Sequence, residues 1–280
     1  MTDAYDPVSR PVALTVAGSD SGGGAGIQAD LKTMTAHGVF GTSAVAATTA
    51  QNTQGVADVH PVPTDHVAAQ IAAVREDFAV RAVKTGMLAT ADTVAAVTDA
   101  FADAEIPLVV DPVMVAATGD RLLAPEAEAA YEDLVAAATL VTPNADEAAV
   151  LTDREVTDPD SAAAAARDLV ETGAAAALVT GGHLPGETVV DVLALSGGRA
   201  GGSGGTSGPA TLRIESPRVE TDATHGSGCT LSSAVASRLA RGEPLRAAVE
   251  AAVGELSEAL RRGYDVGAGP GAVNPTVLDG

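Results

Sequence analysis

Short apolar β runs alternate with helix-period stretches along almost the whole chain, and this alternation constrains the fold more than any other feature. "PVALTVAG" (11–18) has the continuous apolar character of a buried strand, and "AGIQADLKTMTAHG" (25–38) the helical period, ended by Gly38. Strands follow at 42–53, 80–88, 107–114, 139–144, 175–182, 187–195 and 211–215. Helices fall at 64–78, near 90–103, near 124–137, and at 145–152, 160–172, 227–241 and 244–262. Strands that alternate with helices form a parallel sheet covered on both faces. With 46% hydrophobic but only 2% aromatic residues and no tryptophan, the core is built from many small side chains. The pattern predicts one domain over 1–280 with an N-terminal tail at 1–11. The stretch 196–210 holds seven glycines in fifteen residues and reads as a surface loop at the tip of a hairpin.

Charge narrows the function. A formal net charge of −21 and a pI near 4.3, with no basic patch, argue against nucleic acid as a partner. The acid is spread along the chain, and only two of the sixteen basic residues, Lys32 and Lys84, are lysines. Such a surface is expected of a protein from a halophilic cytoplasm, because at 1 M salt the Debye length falls to about 3 Å and self-repulsion is screened. The single cysteine excludes an internal disulfide and points to a reducing compartment. The sequence has no leader-like N-terminus and no apolar run of spanning length, so the expectation is a cytoplasmic protein with no membrane partner.

In open parallel sheets ligands bind beyond the carboxyl ends of the strands, and the chemistry-bearing residues cluster there. "AGSDSGGGAG" (17–26) follows the first strand, "QNTQG" (51–55) the second, "KTGM" (84–87) the third, "DPVM" (111–114) the fourth, "PNADE" (143–147) the fifth and "GGH" (181–183) the sixth. The glycines at 22–26 fit neither the P-loop nor the dinucleotide fingerprint, and alone they read more readily as a tight connection than as an anion site. "THGSGC" (224–229) also opens a helix. Gly226, Ser227 and Gly228 would present backbone N–H donors to a phosphoryl group, and Cys229 in the first turn is expected to have a lowered pKa. Its alternative is a small buried hydrophobe. Asn144 and Glu147 have the spacing of a metal pair or of a plain helix cap, and on spacing alone the cap is favoured.

Together "AGSDSGGGAGIQADLKT", "TAQNTQGV", "KTGML", "DPVM", "TPNADEA" and "THGSGCTLSSAVAS" resemble the hydroxymethylpyrimidine/phosphomethylpyrimidine kinase family of the ribokinase-like superfamily, over about residues 12 to 275. The resemblance implies a three-layer α/β/α sandwich with a mostly parallel central sheet. It implies ATP and Mg²⁺ as cofactors, a homodimer, and an aminopyrimidine alcohol and its monophosphate as substrates of two phosphorylations in thiamine biosynthesis. By resemblance, Gly18, Asp20, Gln51 and Met87 contact the pyrimidine. Lys84 and Cys229, with Gly226, Ser227 and Gly228, serve the transferred phosphate; Asp111 and Glu147 serve the metal, and Asn144, Thr180 and Gly182 the nucleotide. Thr180 stands where the family commonly has lysine. Rival readings are a pyridoxal or pyridoxine kinase and a non-catalytic pyrimidine-binding regulator.

Overall fold

The computed structural model describes residues 6–102, 104–114, 130–197 and 208–278. Among the described residues nine strands form a single sheet in the order β3-β2-β1-β4-β5-β6-β7-β8-β9. The strands are β1 Val12–Ser19, β2 Phe40–Asn52, β3 Gly55–Pro61, β4 Val80–Thr85, β5 Leu108–Val110, β6 Leu140–Val141, β7 Ala176–Val179, β8 Thr188–Leu195 and β9 Ala210–Pro217. From β2 to β7 all neighbours are parallel, while β3, β8 and β9 run antiparallel at the two edges. This is the mostly parallel sheet of a ribokinase-like sandwich.

The period-two geometry of the strands feeds two cores. Leu14, Val16, Val83, Leu108 and Val110 point to the face covered by α2 (Thr64–Asp77), α3 (Ala91–Phe101), α4 (Tyr131–Ala136), α5 (Ala145–Thr152) and α6 (Pro159–Thr172). Ala13, Ala82, Val109 and Leu178 point to the other, covered by α1 (Gly26–Ala36), α7 (Ser227–Ala240) and α8 (Leu245–Arg261). Helix α7 lies against the sheet through buried small residues, among them Ser232, Ser233, Ala236 and Ser237. A small-residue face lets the helix start come close to the strand ends.

The structure corrects several sequence expectations. The edge strand β3 was not foreseen, because its solvent-facing, polar residues lack a buried apolar run. "QNTQG" is therefore a hairpin connecting β2 to β3, with Gln51 inside β2. Strands β5 and β6 are shorter than expected, each ending just before a segment that contains proline, which cannot donate to a ladder. The strands flanking the glycine-rich stretch do pair, Leu195 with Ala210, although residues 198–207 lie outside the described residues, as does 124–129 of the helix expected near 124–137. Among the described residues no helix is long and apolar enough to cross a membrane.

Candidate active site

The chain passes from β1 through α1 to β2 on one side, then returns through α2 to β4 on the other. This places a topological switch point between β1 and β4. Gly18 lies at the end of β1 and Asp20 follows it, Gly86 and Met87 leave β4, Asp111 follows β5, and the first turn of α7 lies beside Asp111.

Beneath the opening lies a buried charge cluster. Lys84 Nζ donates to Asp30 Oδ1 at 2.8 Å and lies 3.8 Å from Asp111 Oδ2. Asp30 also accepts from Thr15 Oγ1 (2.6 Å) and Ser233 Oγ (2.7 Å), and Asp111 accepts from Ser232 Oγ at 3.1 Å. Burial disfavours the lysine charge, but Asp30 and Asp111 oppose this and hold its pKa above the usual range. Asp111 is raised, first by burial, against the opposing pull of Lys84. Gly86 is needed here because a Cβ at that position would sit 2.9 Å from Nζ. The sequence reading missed Asp30. Its signal was a carboxylate in helical register with Ile27 and Met34, on the face of α1 that is buried.

Two glycine loops meet above the cluster. The Asp20 carboxylate accepts from the backbone N–H groups of Gly22 (2.7 Å), Gly24 (3.0 Å) and Ala25 (2.9 Å). Those donors thus face inward, and the loop at 22–26 is a tight connection. Asp20 is itself buried. Desolvation raises its pKa, but the hydrogen bonds from His225, Ala25 and Gly22 together hold it down at about 2. The Gly226–Cys229 segment differs from expectation in one donor, since Ser227 N–H is bound to Thr224 O at 3.1 Å. Among the described residues the N–H groups of Gly228 and Cys229 have no acceptor and stand at the positive end of α7. The expected lowering of the Cys229 pKa is reversed. Burial pushes the thiol up to about 12, with Asp30 and Asp111 adding to the rise, against the opposing effects of Lys84 and of a hydrogen bond from Gly26 N–H. The resting side chain is a thiol, although it retains partial solvent access.

Met87 packs on Gly18, where any Cβ would collide with the methionine methyl group, and forms a small apolar wall with Ala47, Ala89, Val59 and Val113. Gln51 lies beside it, with Oε1 accepting from Thr49 Oγ1 at 3.1 Å and its backbone tied to Ser21. The apolar wall and the half-buried Gln51 both lie toward the carboxyl ends of the strands.

Thr180, Asn144 and Gly182 fall at the far end of the opening, beyond β6 and β7, where Thr180 and Asn144 are bridge partners. β2 and β7 lie five positions apart in the sheet, which sets Gln51 and Thr180 well apart along the opening. Gly182 borders open space. The next turn is held by Asp191, which accepts from Gly181 N–H at 2.8 Å and is raised by burial to about 6. Arg218 donates to the carbonyls of Gly182, Leu184 and Gly186.

Asn144 and Glu147 form a capping box at the start of α5, as spacing alone favoured. Glu147 is nevertheless buried, and desolvation followed by the Asp111 charge raises it to about 8. Buried Lys84 thus faces two buried carboxylates, Asp30 and Asp111, and a third, Glu147, lies within electrostatic reach of Asp111. That surplus fits a divalent cation. Among the described residues no three His, Cys, Asp or Glu side chains form a cage, so Asp111 and Glu147 suit an ion that keeps most of its waters, as Mg²⁺ does.

Comparison with known proteins identifies the family. The family described as phosphomethylpyrimidine kinase matches residues 20–274. The hydroxymethylpyrimidine/phosphomethylpyrimidine kinase of Rhizobium meliloti (strain 1021) is 46% identical over 267 residues, covering 94% of this chain and 96% of that protein. Two solved structures are similar in fold. Bacillus subtilis pyridoxal kinase, as an ADP complex, has a TM-score of 0.84 at 34% identity, with 96% of this chain and 99% of that chain covered. Phosphomethylpyrimidine kinase from Clostridium difficile 630 has a TM-score of 0.74 at 36% identity, with coverages of 89% and 99%. With a matched profile over nearly its whole length and a relative this similar, the chain belongs to the phosphomethylpyrimidine kinase family.

Proposed function

We propose that the chain is an ATP-dependent kinase that phosphorylates the hydroxymethyl group of 4-amino-5-hydroxymethyl-2-methylpyrimidine and then the resulting monophosphate, in thiamine biosynthesis. One observation carries this reading: α7 presents two unpartnered N–H groups, at Gly228 and Cys229, in a first turn that lies beside Asp111, just past the end of β5. The slot of Gly18, Gln51 and Met87 takes the aminopyrimidine, with the Gln51 amide pairing to its polar edge. The nucleotide lies toward Asn144, Thr180 and Gly182.

The substrate hydroxyl attacks the γ-phosphorus, the bond to the ADP oxygen breaks, and the hydroxyl proton passes late in the transfer to an oxygen of the transferred phosphoryl group. Such transfers proceed through a loose transition state, so positioning and charge neutralisation dominate. Gly228 and Cys229 N–H groups and Lys84 supply fixed positive charge at the transferred group. Cys229, as a thiol, orients the hydroxyl. Asp111 and Glu147 would hold Mg²⁺, which supplies charge neutralisation on the phosphates when bound. A homodimer is part of this reading and is checked by light scattering.

The better overlay on a pyridoxal kinase than on a phosphomethylpyrimidine kinase favours one second reading, a B6 kinase. The test is turnover in molar KCl with Mg²⁺ and ATP, offering hydroxymethylpyrimidine, its monophosphate and pyridoxal in parallel. Pyrimidine diphosphate supports the proposal, and pyridoxal phosphate alone replaces it. No turnover by folded protein returns the binding-protein reading.

A further inference from the structure

We propose that His225 is a positioning residue for phosphoryl transfer, latching the loop at 22–26 to the start of α7 through the Asp20 carboxylate. The inference rests on the kinase reading. His225 Nε2 lies 3.0 Å from Asp20 Oδ2, the same oxygen that accepts from Gly24 and Ala25. Asp20 is ionised, so Nε2 carries the proton and donates.

The latch joins surfaces already in backbone contact. A Cβ at Gly24 would strike the His225 ring, and a Cβ at Gly226, whose φ is +84°, would run into the Gly24 carbonyl oxygen. Three further bonds hold the two sides in place. His225 N–H donates to Gly271 O (3.3 Å), His225 O accepts from Val273 N–H (3.0 Å), and Lys32 Nζ donates to Gly23 O (2.7 Å). With its backbone pinned to 271–273, the imidazole has one place to reach, and the carboxylate it reaches shapes the whole glycine loop. Gly26 ends that loop and opens α1, and Cys229, four residues beyond His225, lies in the first turn of α7. The latch therefore sets the separation between the first turns of α1 and α7, on which the Gly228 and Cys229 donors depend.

The test compares His225→Gln, whose amide nitrogen reaches the position of Nε2, with His225→Asn, whose amide falls short of Asp20. Both keep a polar side chain on a folded protein. With hydroxymethylpyrimidine as substrate, Asn lowers kcat by about 100-fold with KM within about threefold, and Gln recovers at least about tenfold of the loss. Hydrogen–deuterium exchange gives a readout independent of turnover. In the Asn variant, peptides over 17–30 and 221–233 lose protection together, while β7 and β8 keep theirs. Equal kcat in Gln and Asn variants, a kcat loss shared with KM, or unchanged protection of either loop overturns the proposal. An inactive wild type counts against the kinase reading, and the exchange data then decide the latch alone.

Discussion

Replacing Lys84 with methionine tests the buried charge cluster directly. The lysine and Asp30 side chains are fully buried, and Asp111 nearly so, with Nζ 2.8 Å from one carboxylate and 3.8 Å from the other. Methionine fills similar volume but leaves two carboxylates without their cation, and breaking a buried pair in this way costs about 3–5 kcal/mol. For a domain of this size each kcal/mol moves the midpoint by about 2 °C, so the expected fall in Tm is about 6–10 °C. Circular dichroism melts at low salt and in molar KCl give the measurement. The loss should be nearly the same in both, because a buried pair is little screened. Adding Asp30→Asn to Lys84→Met should cost less than the two single changes summed, by about 1–3 kcal/mol, since it removes a charge that the first change stranded. A single-variant Tm within about 2 °C of wild type, or strict additivity in the double variant, would show that the cluster is not held by this pair.

Cys229→Ala tests what the thiol does. Because burial leaves it protonated, kcat for the free alcohol should fall about tenfold or less without acquiring a new dependence between pH 6 and 8, and a loss beyond about 1,000-fold would restore the role of base. Asp191 gives a stability prediction with a definite sign. Its folded pKa, about 6, lies above the ordinary 3.8, so stability falls as pH rises between those values and the loss is complete above 6, amounting to about 3 kcal/mol. In urea titrations Asp191→Asn should lack that fall and match or exceed wild type at pH 7, and an unchanged pH profile contradicts the account. Gly226→Ala puts a methyl group into the Gly24 carbonyl at a positive φ, so the protein should melt lower and lose most kinase activity, and wild-type kinetics would mean that the loops do not touch.

The sheet was legible because its central strands are buried on both faces and read as unbroken apolar runs. Strand β3 was not, since an exposed edge strand has neither a buried run nor clean alternation. Within the site, topology pointed to the residues at the carboxyl ends of the strands, Asp20, Lys84 and Asp111 among them, while Cys229 was found from the glycine loop that opens a helix. What sequence did not convey was how each side chain is used. Asp20 stood out as a polar residue in a glycine loop, yet its oxygens serve the loop and His225. Asn144 and Glu147 looked like a cap and are one, while the burial that raises Glu147 depends on neighbours distant in sequence. Lone Asp30 and His225 carried no motif of their own, and their meaning comes from contacts 54 and 205 residues away.

The segment at 264–274 pairs with His225 through Gly271 and Val273 and rests its turn on Thr53, whose Oγ1 accepts from Ala268 and Gly269. Parts translated early and late therefore meet at one place. On the ribosome, β1, its glycine loop and the β2–β3 hairpin emerge well before α7 and the 264–274 segment, and must wait for them before their partners exist. Catalytic competence in this protein is then a late event in synthesis, and a stalled chain lacking the last few dozen residues would have most of its sheet but no working centre.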